Sequence, residues 1–518
     1  MKKQLDKFQV VEDVKKVSKI FKKEFPSSKE FITRDYYRAH GKYSKNIESI
    51  FGSFKNAVSE IFKQDKGYIR QELNITKKFN SKSKRYLVSA IVPGQEVNEQ
   101  YMQSIFTYCE KRKAELILLV MRGVKTSNII TSDTYDKYSE YFITDANLND
   151  NLKIIDIELN PQSDISIDPL FKVDPDRSII IAHSKQAFTS VPNRIGEYPH
   201  LLYFTGCITK PNYADNKQGR VAKQNHVQGG CIVEIVDNKN FHVRNFQCDI
   251  ENGFADEGCY YKGSNVSKIK SDIVLGDIHC GSESKEAIES SKQMIKEFQC
   301  KKVYLNDLFD ARSVSHHEDR DLYSKYNRPV HQQSLQSELD YLGNFLINFY
   351  KDIEHSELIV VPSNHDHFVS RWLTEGRFVF DSPKNAKLGA ELFSHYLDGE
   401  NPIEYYLKSR GFLKKIKIKF FYFTDEIVSY GYDIHHGHKG VNSPKGSIKA
   451  FDKCYGKNAS AHTHQPKKDK NSVVAGANCS LDQHYILGTG SSWMFSNILL
   501  YENSTDQSIH IIEGKYKL

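Results

Sequence analysis

The first sixty residues carry a helical rhythm. Val10, Val14, Val17 and Phe21 recur at three- and four-residue spacing, which puts them on one helix face, and Pro26 ends the run. Thr33 predicts an N-cap for a short helix through Tyr37 to His40, closed by Gly41. Ile47, Ile50, Phe51, Phe54, Val58, Ile61 and Phe62 continue the rhythm, broken at Gly52-Ser53, where Ser53 predicts a second N-cap. Short helices at sharp turns, faced with Lys and Arg, are the parts of a helix-turn-helix reader.

After residue 85 the period changes. YLVSAIV (86–92) and ELILLVM (115–121) are continuous apolar runs around the amphipathic stretch 99–113, and together they predict a parallel strand–helix–strand unit. From about 150 to 270 the pattern is one of short strands and turns, including HLLYFTG (200–206) and a hairpin over 231–247 turning at Asp237-Asn238. No catalytic motif falls in 86–270. From 271 onward, apolar strands run repeatedly into His and Asp. An insertion at about 367–425 carries helical stretches such as Asn385 to Tyr396, and another helix covers Leu335 to Phe349. Either could cap a site, form an oligomer contact or simply belong to the core. The predicted domains are therefore a basic helical head (1–85), a mixed α/β middle region (86–270) and a chemistry-bearing region (271–518).

Composition adds bounds. The 518 residues are 39% hydrophobic and 26% charged, ordinary globular usage that argues against long disorder, collagen or coiled coil. The longest apolar stretch, Ala114 to Met121 interrupted by Glu115, falls far short of the ~20 residues that span a bilayer, and the N-terminus lacks a signal-peptide apolar region. Nine Cys without a C-x-x-C pair predict free thiols in a reducing, cytoplasmic compartment and no membrane partner. The net charge of +7 hides an asymmetry: residues 1–85 hold 22 Lys/Arg against 10 Asp/Glu, a net of +12, which leaves the remainder at −5. A basic head on an acidic body is the footprint of a nucleic-acid binder, though a solvated Lys-rich helical face gives the same count.

Five motifs carry the candidate chemistry: Asp277-Ile278-His279; Asn306-Asp307-Leu308-Phe309-Asp310; Asn364-His365-Asp366; His435-His436-Gly437-His438; and His462-Thr463-His464. Each follows a predicted strand, where α/β sheets gather their ligand sites. Carboxylate oxygens and imidazole nitrogens suit Mn²⁺, Fe²⁺ or Zn²⁺, and no thiolate is expected among them. Singly each motif is weak; their ordered recurrence is not.

That ordered set resembles the calcineurin-like metallophosphoesterase superfamily, whose signature runs D-x-H, G-D-x-x-D, G-N-H-D/E, H and G-H-x-H. Over about 271–515 the resemblance implies a four-layer α/β/β/α sandwich with two divalent cations, Mn²⁺ foremost and Fe²⁺, Zn²⁺ or Mg²⁺ as alternatives. It implies that Asp277, His279 and His464 hold the first cation, that Asn364, His436 and His462 hold the second, and that Asp307 bridges them. His365 would act on the scissile phosphate as acid or charge stabiliser, oriented by Asp366. Asn306, Ser363 and Ala461 stand where the family has Gly, and His435 and His438 leave the fourth ligand open between neighbours.

Residues 32–62, with Phe51-Gly52-Ser53-Phe54-Lys55-Asn56-Ala57, also resemble the homing-endonuclease-associated repeat, a helical DNA-binding module that usually has Trp at the Phe54 position. Asp307-Leu308-Phe309-Asp310 is similar to the D-L-F-H run of SbcD-type nucleases, with Asp310 in place of His. These features predict a metal-dependent DNase with DNA as partner. Lys45 and Lys55 in the head and Lys467, Lys468 and Lys470 beyond His464 are the candidate phosphate contacts. The rival enzyme reading is a phosphoprotein or nucleotide phosphatase; the rival non-enzyme reading is a DNA-binding scaffold. A homo-oligomer is expected, with the head or middle region open to a protein partner.

Overall fold

The computed structural model describes all residues except 1–6, 25–30, 63–82, 123–129, 131, 195–196, 318–321, 443–445 and 483–487. It divides into two compact units, one of residues 1–74 with 128–140 and one of 75–127 with 141–518.

In the first unit, helices Lys7–Glu24, Arg34–His40, Ile47–Phe51 and Phe54–Ile61 close around Val10, Val14, Val17, Phe21, Tyr37, Phe51 and Ala57. The expected caps form: Thr33 and Ser53 side chains accept from the backbone N–H groups of Tyr36 and Asn56. Each satisfies an amide that the first helical turn leaves unpaired. Pro26 lies outside the described residues. Tyr37 donates its hydroxyl to Asp13 at 2.8 Å, which pins the second helix to the first.

The second unit is mixed α/β. Strands Arg85–Ile91 and Glu115–Val120 pair in parallel around helix Glu99–Arg112, and Gly229–Ile235 with Phe241–Gln247 forms the expected hairpin. A six-stranded sheet orders Ile418–Phe420, Glu357–Val360, Lys302–Leu305, Ser271–Val274, Ser496–Tyr501 and Asp506–His510. Its first four strands are parallel, and both of its faces are covered, which is why they read as unbroken apolar runs. On one face Ile273, Val303, Leu305 and Leu358 pack with side chains from helices Lys285–Phe298, Leu335–Lys351 and Asp366–Thr374. On the other, Val274, Tyr304, Ile359 and Ile498 share a core with Ile434, Ala459 and Val473 of a ten-stranded sheet.

The ten-stranded sheet corrects the expected boundary at 270. Lys467–Asp469 pairs antiparallel with His183–Val191, so strands of the middle region and strands of the chemistry-bearing region form one sheet. The expected insertion holds helices Pro383–Leu397 and Pro402–Ser409, whose Leu388, Leu392 and Leu407 join the core beside Trp372. No described helix is long and apolar enough to cross a membrane.

Candidate metal centre

Both sheets deliver their motifs to one place. Strand Ser271–Val274 leads to Asp277 and His279, Lys302–Leu305 to Asp307 and Asp310, and Glu357–Val360 to Asn364 and His365. From the other sheet, Tyr432–Ile434 leads to His436 and Asn458–Ser460 to His462 and His464. Backbone bonds knit the loops: Ile278 N–H to Asn306 O (3.1 Å), His279 N–H to Asp307 O (2.7 Å) and His462 N–H to the Asp277 carboxylate (3.2 Å).

Four of these residues occupy left-handed backbone: His279 (φ 47°), Asp307 (φ 38°), His462 (φ 71°) and His464 (φ 55°). A side chain in that region costs about 1–3 kcal/mol and persists where its surroundings impose it. Four of the fourteen described non-glycine residues with positive φ therefore lie where these side chains converge.

The donors divide into two groups. In the first, the Nε2 atoms of His279 and His464 face each other at 3.3 Å, and Asp277 Oδ2 lies 2.9 Å from His464 Nε2. Two nitrogens each ~2.0–2.1 Å from one tetrahedral cation stand about 3.3–3.4 Å apart, so this pair is spaced for a shared ion. In the second group, His436 Nε2 lies 3.0 Å from both Asn364 Oδ1 and Asp307 Oδ2, and His462 offers a nitrogen within reach of His436 and Asp307. Asp307 stands between the groups, with Oδ2 also 3.6 Å from His279 Nε2. Asp307 is 1% exposed and its Oδ1 has no hydrogen-bond partner, an arrangement that costs stability unless something else satisfies it. Burial opposes ionisation of Asp277 and Asp307, but the neighbouring charge of His436 outweighs it and holds both below the ordinary carboxylate range. The set fits a pair of divalent cations in its chemistry.

His365 stands at the edge, where one of its ring nitrogens lies within 4.8 Å of donor atoms of His279 and Asp307. Its Nδ1 lies 2.7 Å from the Asp310 carbonyl and 3.4 Å from the Asp310 carboxylate. Burial disfavours its charge, yet Asp307 and Asp310 prevail and raise the imidazole to about 10. The orienting carboxylate is thus Asp310, which corrects the assignment to Asp366. Asp366 instead caps its own turn, accepting from the Ser363 N–H at 2.9 Å. Asp310 also lies 3.3 Å from His279 Nδ1, so one carboxylate aligns two imidazoles.

Of the open neighbours, His435 turns away to Phe451 and Tyr455, while His438 borders His436 and His462 with ring centroids at 5.4 and 6.2 Å. Lys468 is a correction: it is fully buried on Asp506 and faces no phosphate. Lys467 pairs with Asp168, and Lys470 is half-buried. Lys45 and Lys55 are exposed in the head. There an open groove of about 1060 Å³ is lined by Lys15, Lys16, Lys19, Lys22, Lys23 and Lys42, none of them singled out by the sequence.

Cys479 is the residue that the motifs missed. It is fully buried, and its Sγ lies within 4.8 Å of ring nitrogens of His279 and His464. Burial, with the charge of Asp277, pushes its thiol well above the ordinary range.

Fold and geometry define a mixed α/β protein with a buried cluster of imidazoles and carboxylates. No family model matches the chain. It is similar to Protein A1 of Escherichia phage T5, with 26% identity over 469 residues that cover 84% of this chain and 83% of that protein.

Proposed function

We propose that the protein is a metal-dependent DNase of the calcineurin-like metallophosphoesterase type, hydrolysing DNA phosphodiester bonds at a two-cation site. The observation that carries this reading is the position of Asp307, whose Oδ2 reaches toward His279 Nε2 at 3.6 Å and His436 Nε2 at 3.0 Å with a donor set on either side. Asp277, His279 and His464 would hold one cation, Asn364, His436 and His462 the other, and Asp307 would touch both. A cation pair there supplies positive charge against a phosphate and acidifies the attacking water. His365, aligned by Asp310 and kept protonated by Asp307 and Asp310, donates its proton toward the leaving oxygen and offsets the charge that builds on phosphorus. Helices on the outer face of the six-stranded sheet, and a core shared between its inner face and the ten-stranded sheet, support this reading.

DNA is favoured over a phosphoprotein because of the head. Its net +12 and lysine-lined groove match a polyanion. A basic helical head before a late-starting phosphoesterase also resembles the early DNA-degradation (first-step-transfer) proteins of T5-like bacteriophages. The likeness to a phage T5 protein supports a phage origin and hence the host cytoplasm as workplace, and says nothing of the reaction.

The test is hydrolysis of plasmid, linear duplex and single-stranded DNA with Mn²⁺, beside p-nitrophenyl phosphate. DNA cleavage that requires the metal and vanishes in Asp307→Asn is the expected result. Cleavage of the small ester with none of DNA would move the assignment to a phosphatase.

A further inference from the structure

Cys479 lies in the loop after strand Ser472–Val474, about 200 residues from His279 in sequence, yet its position is fixed from both sides. The Asn478 N–H donates to Asp277 O at 2.7 Å, the Ser284 N–H to Asn478 O at 2.8 Å, and the Ser480 N–H to Ser282 O at 2.8 Å. The Asn478 side chain is itself buried and bonded, accepting from Ser291 Oγ at 2.9 Å and donating to Asn497 at 2.7 Å. A backbone bonded on both sides of Cys479 holds its side chain against the first donor group. There the sulfur lies within 4.8 Å of a ring nitrogen of His279 and of His464, whose Nε2 atoms face each other at 3.3 Å. Asp277 of the same group is fully buried and its Oδ2 has no hydrogen-bond partner, a second observation that points to an ion in this donor set.

We propose that Cys479 is a ligand of the first cation position, joining Asp277, His279 and His464, and that this position therefore selects a thiophilic divalent ion such as Zn²⁺ or Fe²⁺ over Mn²⁺. The inference rests on the two-cation reading above. On binding, the S–H bond breaks, its proton passes to solvent, and sulfur bonds to the ion. Thiolate is the softest donor in the cluster, and soft donors favour Zn²⁺ and Fe²⁺ over Mn²⁺ and Mg²⁺. The second position, with Asp307, Asn364, His436 and His462, has only oxygen and nitrogen donors and stays open to Mn²⁺. The two positions are therefore unlike, and the protein carries one ion of each kind.

Cobalt reads this directly, because Co²⁺ bound by thiolate shows a near-ultraviolet sulfur-to-metal charge-transfer absorption that oxygen and nitrogen donors do not give. The full chain carrying Cys454→Ser, which removes the exposed thiol, is loaded with Co²⁺ while bound metal is counted by equilibrium dialysis. Two bound ions with the charge-transfer band, and loss of the band in Cys479→Ser and Cys479→Ala, are the expected results. Zn²⁺ affinity should fall roughly tenfold or more in both variants, with Mn²⁺ affinity changed far less. Two bound ions without the band, or a band that survives in the variants, overturn thiolate ligation and leave the two-cation reading standing. Failure to bind Co²⁺ at all overturns both. A parent chain with two bound ions and no band overturns thiolate ligation even if a variant does not fold.

Discussion

Lys468 places its ammonium 2.6 and 2.8 Å from the two carboxylate oxygens of Asp506, with both side chains fully buried. Tyr432 and Asn245 also donate to Asp506, so the carboxylate is saturated only while the lysine is present. Removing one partner of such a pair leaves an uncompensated buried charge. Lys468→Ala should therefore destabilise the protein by about 3–5 kcal/mol. The pair lies at the seam where Lys467–Asp469 meets Val191's strand, so the loss should appear as a lower denaturant midpoint. Lys468→Met with Asp506→Leu should recover much of it, because the two remove the charges together. DNA affinity measured on folded Lys468→Met/Asp506→Leu protein should keep its salt dependence; a flatter one would return Lys468 to the DNA interface.

Asp310 tests how His365 is controlled. At saturating metal, His365→Ala should lower turnover by ~10²–10⁴ while both ions stay bound. Asp310→Asn should act through His365 and show it in the pH profile. Two carboxylates, Asp307 and Asp310, raise the imidazole above its ordinary range, so its protonated form is lost as pH rises. Neutralising Asp310 lowers the imidazole's pKa, and the alkaline limb of kcat should move to lower pH. Because Asp310 also touches His279 Nδ1, metal affinity should fall about 10–100-fold, as for other second-layer partners of metal-binding histidines. An unmoved alkaline limb would remove Asp310 from the role given to it here.

Acid should unfold the protein through its buried neutral histidines. Burial, reinforced by nearby positive charge, lowers His183 and His510 to about 3 and His242 to about 4. The unfolded chain binds these protons at about 6.5, the native state only well below that. Stability is therefore intact above the unfolded value and falls as pH drops beneath it, by ~1.4 kcal/mol per pH unit for each histidine. His510 bonds Tyr203 and Ser496 in the core. His510→Gln should flatten the stability slope between about pH 6 and pH 5 by roughly one histidine's worth, whatever it does to absolute stability. Equal slopes in parent and variant, read by chemical denaturation, would exclude His510 as a contributor.

The motifs were legible because parallel strands covered on both faces leave continuous apolar runs, so the polar residues that end them stand out. Asp277, His279, Asp307, Asn364, His436, His462 and His464 all converge as their positions after strands implied. Cys479 was not legible: it follows no pattern, and only the backbone pairing of 477–480 with 277–284 brings it in. Lys468 was legible in principle. It sits mid-strand between Lys467 and Asp469, and the two-residue period of a strand turns it to the opposite face from both. Taking the three lysines together as phosphate contacts hid that. The middle region stayed opaque for a related reason: its short strands complete a sheet whose other half lies 250 residues later, and no local pattern records such a pairing.

The head separates a nuclease from a phosphatase. Cations that replace counterions on B-DNA steepen the fall of affinity with salt, by about 0.9 in log–log slope per phosphate neutralised. Lys45 and Lys55 are exposed, and Lys19 and Lys22 line the head's groove. If these faces hold DNA, Lys45→Ala with Lys55→Ala, and separately Lys19→Ala with Lys22→Ala, should weaken binding and flatten the slope by up to ~1.8 for each pair. Hydrolysis of a small phosphodiester should be unchanged, since every residue of the candidate metal centre belongs to the other compact unit. Comparing the two pairs identifies the face: a larger change for Lys19 and Lys22 assigns DNA to the groove, a larger one for Lys45 and Lys55 to the turn around Phe51 to Ala57. Undiminished affinity in both variants across a salt titration would make the head's charge a solvated surface. Its place would then be with a protein partner, and a small phosphoester would become the better candidate substrate.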